Sequence, residues 1–190
     1  MANESTTGFG MRPLRMVGQS DYNGGLGEFQ IAASSTAIYH HDPVLMAAGG
    51  YITVSAASSG ANYAGVLNGT FYTDPTTSKP TWSNYAPNVA AEQEALLVSN
   101  PQVQYEIRTA SATPGRASIG GTADIVYTAG AAPNYISRVT MSGTVATTIT
   151  LPIKIMGISR DPNNQDTSEA GCVYRVLLNA NIWGNNVAGI

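Results

Sequence analysis

The chain has 190 residues, of which 43% are hydrophobic and only 11% charged, with nine Lys and Arg against twelve Asp and Glu and a net charge of −3. Ordinary globular domains carry about 25% charged residues, so much of this surface must be neutral. The length supports one domain with a proper core. The nine basic residues are scattered singly and only Lys79 and Lys154 are lysines, which provides no cationic run to displace the counterions of a nucleic acid. Nucleic acid is therefore not the expected partner. Cys172 is the only cysteine, which excludes an intrachain disulfide and a thiolate-rich zinc site.

Residues 1–7 are polar and carry neither a basic nor an apolar leader region. The longest apolar stretch, 44–48, falls far short of the ~20 residues that span a bilayer. The chain is expected to be soluble and uncleaved, with no membrane partner.

In chain order, residues 1–20 are too polar to form a core of their own. They are expected to be an N-terminal arm lying on another subunit or partner, with the domain proper over 21–190. Segments 27–33, 51–56 and 62–72 are strand candidates. Residues 74–88, with Pro75, Pro80 and Pro87 among Thr, Ser and Asn, predict one long surface loop. Segment 89–98 alone has helical composition.

Val103, Tyr105 and Ile107 alternate with Gln104 and Glu106, the period of a half-buried strand. Segments 123–127 and 135–141 are weaker candidates. In 148–158, Ile149, Leu151, Ile153 and Ile155 share a face, and Pro152 predicts an edge position or a bulge. In 172–179, Tyr174, Val176 and Leu178 form one face, with Arg175 and Asn179 on the other. Turn chemistry separates these segments at Asn23-Gly24-Gly25, Asp42-Pro43, Gly49-Gly50, Ser58-Ser59-Gly60, Asp74-Pro75, Gly120-Gly121 and Asp161-Pro162-Asn163-Asn164. Many short strands with frequent punctuation predict an all-β single domain, an antiparallel sandwich or barrel of jelly-roll-like kind.

Candidate chemistry is sparse. His40-His41-Asp42 offers metal-ligating side chains, but adjacent strand residues face opposite ways and Asp42-Pro43 marks a turn. No Gly-x-Ser-x-Gly elbow accompanies these histidines. Glu92 and Glu94 invite an acid–base reading and are better explained as surface charge. Cys172 lacks an activating neighbour. Gly65-Val66-Leu67-Asn68-Gly69 lacks the Lys-Ser/Thr ending of a phosphate loop. The expectation is a protein without catalytic, metal or cofactor sites. Aromatic residues are more informative: ten Tyr against three Phe is the style of interfaces and wet grooves. Trp82 and Tyr85 in the loop, with Trp183 near the end, suit stacking on sugar rings, anchoring a protein contact, or capping the barrel.

Taken in order, the local signatures resemble a family of tailed-bacteriophage virion proteins, the capsid decoration or cement proteins. The residues that carry the resemblance begin with Gly8-Phe9-Gly10-Met11-Arg12-Pro13, then Tyr22-Asn23-Gly24. Asp42-Pro43-Val44 matches the start of the family's first strand, and Gly65-Val66-Leu67 with Gly69 its central strand. Asn100-Pro101, Val103, Tyr105-Glu106-Ile107 and Ala123-Asp124-Ile125 follow. The most specific run is Ile155-Met156-Gly157-Ile158 into Arg160-Asp161-Pro162-Asn163-Asn164, before the strand that ends at Leu178-Asn179. The resemblance covers nearly the whole chain and departs at 74–88 and 181–190.

It implies a non-enzymatic structural protein of the virion, bound to the outer face of the expanded capsid across junctions between capsomers. The implied partners are the major capsid protein and further copies of the chain, as a homotrimer or homodimer. The expected contacts lie in the arm and the loop. Phe9, Met11 and Leu14 would be apolar anchors, Arg12 and Arg15 would pair with shell carboxylates or backbone, and Trp82 and Tyr85 would add aromatic surface. Deleting residues 1–15 is expected to leave a folded core that no longer binds shells. The alternative, from a different class, is a carbohydrate-binding β-sandwich that uses the loop aromatics.

Overall fold

In the computed structural model the described residues are 5–18, 20–55, 62–111, 114–160, 162, 164, 167 and 169–184. The turn expected at Ser58-Ser59-Gly60, most of that at Asp161-Pro162-Asn163-Asn164, and residues 185–190 lie outside them. Twelve strands in two sheets make up the ordered elements among the described residues, with short 3-10 turns at Ala48–Gly50 and Arg116–Ser118. The all-β expectation is met. No helix among the described residues is long and apolar enough to cross a membrane.

The first sheet contains β1 (Arg12–Met16), β8 (Val103–Arg108), β9 (Thr122–Val126), β10 (Thr140–Ala146), β11 (Ile153–Ile158) and β12 (Val173–Leu178). Their spatial order is β1-β8-β12-β11-β9-β10, and every neighbouring pair is antiparallel. The second sheet contains β2 (Gly27–Ile31), β3 (Pro43–Met46), β4 (Tyr51–Val54), β5 (Tyr63–Thr73), β6 (Pro80–Ser83) and β7 (Gln93–Val98), in the order β3-β4-β2-β7-β5-β6. A further pairing of β3 with β5 closes five of these strands into a barrel, with β6 outside as a hairpin partner of β5. Closure pairs β3 with β5, so β3 is not left as an open edge of the sheet. The expectation of antiparallel pairing fails at one place: β2 and β4 run parallel.

Strand β5 is the wall shared by two cores, which explains why nearly all of its first eight residues are buried. Tyr63 and Val66 face the first sheet and pack with Tyr105, Ile107, Ile153, Ile155, Tyr174 and Val176. Ala64 and Leu67 face the barrel interior with Ile31, Val44, Ile52 and Leu97. The largest buried side chains include Tyr63, Tyr105 and Tyr174, so part of the tyrosine content is core rather than surface. Their hydroxyls have partners: Tyr105 donates to Val98 O at 3.0 Å, and Tyr63 pairs with Ser55 Oγ at 2.8 Å. A buried hydroxyl left alone would cost about 1–3 kcal/mol.

Four expectations are corrected. Residues 12–16 are not an arm apart from the domain; they form β1 and pair with β8 of the same chain. Segment 89–98 is not helical, because β7 is hydrogen-bonded on both sides, to β2 and β5, and that pairing overrides local composition. Residues 74–88 are not one long loop. Asp74 accepts from Thr76 N and Thr77 N at 2.7 and 3.0 Å in a tight turn, and Pro80–Ser83 then returns along β5. Pro152 precedes β11 rather than interrupting it, and β11 is interior, between β12 and β9.

Candidate contact surface

The outer face of the first sheet carries most of the chain's arginines. On β8, Val103, Tyr105 and Ile107 point into the core, which turns Gln104, Glu106 and Arg108 outward. Across the ladder, Glu106 is opposite Arg12 on one side and Arg175 on the other, and Arg175 is opposite Gly157. This gives one cross-strand row, Arg12–Glu106–Arg175–Gly157. Arg15, opposite Gln104, starts the next row.

Two β-bulges shape this face. In β1 the register shifts between Pro13 and Arg15, so Leu14 is the extra residue. The bulge brings Arg12 and Arg15 to the same face and leaves Leu14 projecting, 42% exposed. In β11 the register shifts between Ile155 and Gly157, which aligns Gly157 with Arg175. A Cβ at Gly157 would fall 2.7 Å from Arg175 Nη2, so the guanidinium lies where any other residue would place its side chain.

Glu106 is 5% exposed and fully engaged. Its Oε2 accepts from Arg12 Nε at 3.2 Å and from Nη2, and its Oε1 accepts from the Ser159 hydroxyl. Among the described residues, Arg15, Arg160 and Arg175 make no ion pair, and Arg175 Nε is buried with no hydrogen-bond partner. Burial, and then the nearby charges of Arg15 and Arg160, hold the Arg175 guanidinium below its ordinary pKa, with Glu106 opposing them. The side chains enclose a concavity of about 700 Å³ lined by Arg12, Leu14, Arg15, Glu106, Arg160 and Arg175, among others. A second, of about 310 Å³, shares Arg160 and Arg175 and adds Arg116. Five of the chain's seven arginines therefore line one surface, although none are adjacent in sequence. The sequence-based view of the basic residues as scattered does not hold in space.

No protein-family model, curated protein or solved structure matches this chain.

The residues expected to make contacts divide five ways. Arg12, Leu14 and Arg15 come together on the concavity. Phe9 lies beside them, with the guanidinium carbons of Arg12 and Arg108 at 5.2 and 5.3 Å from its ring centroid. This cation–π clamp is worth about 0.5–1 kcal/mol per pair where exposed. Met11 is 0% exposed and belongs to the core, so it is not a contact residue. Its position follows from β1, which threads residue 11 between the sheets instead of over a partner.

Trp82 and Tyr85 are separated. Trp82 is 53% exposed on β6, directly opposite Phe71, which is 47% exposed, and its ring covers Gly69. Tyr85 instead stacks on Tyr135 at 4.0 Å between centroids, and on Tyr39 at 6.2 Å. Trp183 donates its indole N–H to Ala64 O at 3.2 Å and meets Phe29 at 6.1 Å.

The histidine pair forms a turn. His41 has φ of +70°, and Asp42 Oδ2 accepts from Tyr39 N at 2.8 Å. His40 and His41 lie against each other at 3.9 Å between centroids. No group of three His, Cys, Asp or Glu that could hold a metal ion occurs among the described residues. Glu92 accepts from the Tyr51 hydroxyl at 2.6 Å, while Glu94 lies on β7 opposite Gln30 and Phe71.

Sequence reasoning missed Ser159, Arg160, Gly157 and the roles of Glu106 and Arg175. Alternation had put Arg175 on the polar side of its strand, but its neighbours there come from segments up to 163 residues away.

Proposed function

We propose that this chain is a capsid decoration protein of a tailed bacteriophage. It binds the outer surface of the expanded shell and reinforces contacts between capsomers, as a homotrimer or homodimer. The observation that carries the reading is the surface made by β1: the segment where the resemblance begins, Gly8 to Pro13, leads into a strand that presents Arg12, Leu14 and Arg15 together on an open, cationic concavity. A decoration protein needs a rigid module with one adhesive face. The two-core β fold supports the first requirement and the concavity the second. Binding that exists only in the expanded lattice would stabilise that lattice by mass action.

Cosedimentation with unexpanded and expanded shells tests this. Saturable binding to expanded shells alone is expected. Binding to neither contradicts the reading and turns attention to the exposed Phe71–Trp82 pair, the one feature that favours a carbohydrate-binding module.

A further inference from the structure

We infer that the concavity walled by Arg15, Arg160 and Arg175 is a binding site for an acidic peptide segment of a partner chain. The inference rests on the decoration reading for the identity of the partner and deepens it by naming the chemistry the face recognises.

Three observations lead to it. The first is unspent charge: Glu106 is committed to Arg12 and Ser159, while Arg15, Arg160 and Arg175 have no ion pair among the described residues. With Glu106 the one acid in the described lining, these guanidiniums favour an incoming carboxylate, which Arg binds bidentately through its planar fork. The second is construction. Gly157 leaves the space that Arg175 fills, and the bulge at Leu14 brings Arg15 onto the same face as Arg12. The buried, unpartnered Nε of Arg175 and the depression of its pKa by burial and by Arg15 and Arg160 fit a site whose counter-charge comes from outside.

The third is size and lining. At about 700 Å³ the space far exceeds a single oxyanion and suits a short run of residues. Exposed Leu14 at its side supplies apolar contact that a free anion would not use. Pro13, which has no N–H, and the bulge interrupt the edge of β1, so a partner docks by its side chains rather than by adding a strand. Among the described residues the lining holds no aromatic ring on which a nucleic-acid base would stack, and Glu106 sits in its midst.

The test is titration of the full chain with a hexa-aspartate peptide, followed by NMR shifts or calorimetry at low salt. Inorganic phosphate and a single-stranded oligonucleotide serve as competing probes. Saturable peptide binding is expected, weakened at least ~10-fold by Arg175→Met and by Arg160→Gln, and unaffected by the remote Lys79→Met. Arg160 is exposed, so its variant keeps the result interpretable should Arg175→Met unfold. No peptide binding, equal weakening by Lys79→Met, or tighter Arg175-dependent binding of phosphate or oligonucleotide would each overturn the inference. Failure of the two readings is distinguishable. Peptide binding that needs Arg175, without shell binding, removes only the decoration reading. Shell binding that Arg160→Gln and Arg175→Met leave intact removes only this one.

Discussion

Arg12 and Arg15 stand on the same face of the first sheet although three positions apart, because Leu14 is bulged out of the ladder between Pro13 and Arg15. In a regular strand a separation of three places two side chains on opposite faces, and one of these arginines would be driven into the core. A single extra residue thus converts an unremarkable Arg-Pro-Leu-Arg sequence into one wall of a cationic concavity.

Removing Leu14 tests that relationship. With Arg15 and Met16 held opposite Gln104 and Val103, the deletion leaves Pro13 opposite Tyr105 and Arg12 opposite Glu106 in a regular ladder, so both arginines keep their face. The deletion is therefore expected to cost less than about 1 kcal/mol, since it removes an exposed side chain and buries no charge. Leu14→Ser keeps the bulge and, at an exposed site, should stay within about 0.5 kcal/mol. A loss of about 2 kcal/mol or more on deletion, read from the denaturant midpoint, would contradict this register.

Truncation separates the terminal segment from the strand. Met11 is fully buried, and Gly8 packs so closely on Arg138 and Val139 that a Cβ there would meet their carbonyls at 2.3 and 2.4 Å. Deleting residues 1–7 should leave stability within about 1 kcal/mol, whereas deleting residues 1–15 should cost about 3 kcal/mol or more, given that a Met→Ala core change alone costs 2–5. Thermal melts of both truncations check this. A 1–15 deletion as stable as the full chain would show that β1 contributes nothing to the fold.

The turn at His41 and Asp42 gives stability two opposed pH dependences. Burial pushes the Asp42 carboxyl up from 3.8 to about 6, opposed by the Ser137 hydroxyl and the Tyr39 backbone. The folded chain keeps this proton where the unfolded chain has lost it, so the contribution is complete below the unfolded value and is lost as pH rises toward about 6. His41 behaves oppositely. Burial, and then neighbouring His40, lower it from 6.5 to about 4, so this part of the stability grows as pH rises from about 4 to 6.5. The two slopes offset each other between about pH 4 and 6. Asp42→Asn should expose the rising slope and His41→Asn the falling one, with Asn chosen because position 41 has positive φ. Urea titrations across this range that give the same slope for both variants would contradict the assignment.

Tyr85 and Trp82, three positions apart, should respond differently to truncation. Tyr85→Ala breaks the stack with Tyr135 and Tyr39 and is expected to cost about 1–3 kcal/mol, from roughly 0.5–1.5 for each aromatic pair plus lost burial. Trp82→Ala removes a half-exposed ring that covers Gly69, and the smaller loss, about 1 kcal/mol, reflects that exposure. Chemical denaturation distinguishes them, and a larger loss for Trp82→Ala would contradict the packing described.

Period-two alternation made β8 and β12 legible, since each has one face fixed in the core. The same rule could not find β1, because a bulge breaks the period at Leu14. It also missed β7, where Ala and Glu composition gave no strand signal and pairing to β2 and β5 decided the outcome. The cationic surface was illegible for a related reason. Arg15, Arg160 and Arg175 are far apart in the chain, and only the sheet order β1-β8-β12-β11 brings them together. A sequence shows which face of a strand is polar, but not which strands lie side by side.

Electron cryomicroscopy of expanded shells with and without the purified chain is the most direct test of the proposed role. The predicted result is added density on the outer surface over capsomer junctions, with the β1-β8-β12 face and its arginines turned toward the shell. Absence of added density, or density with that face turned to solvent, would contradict it.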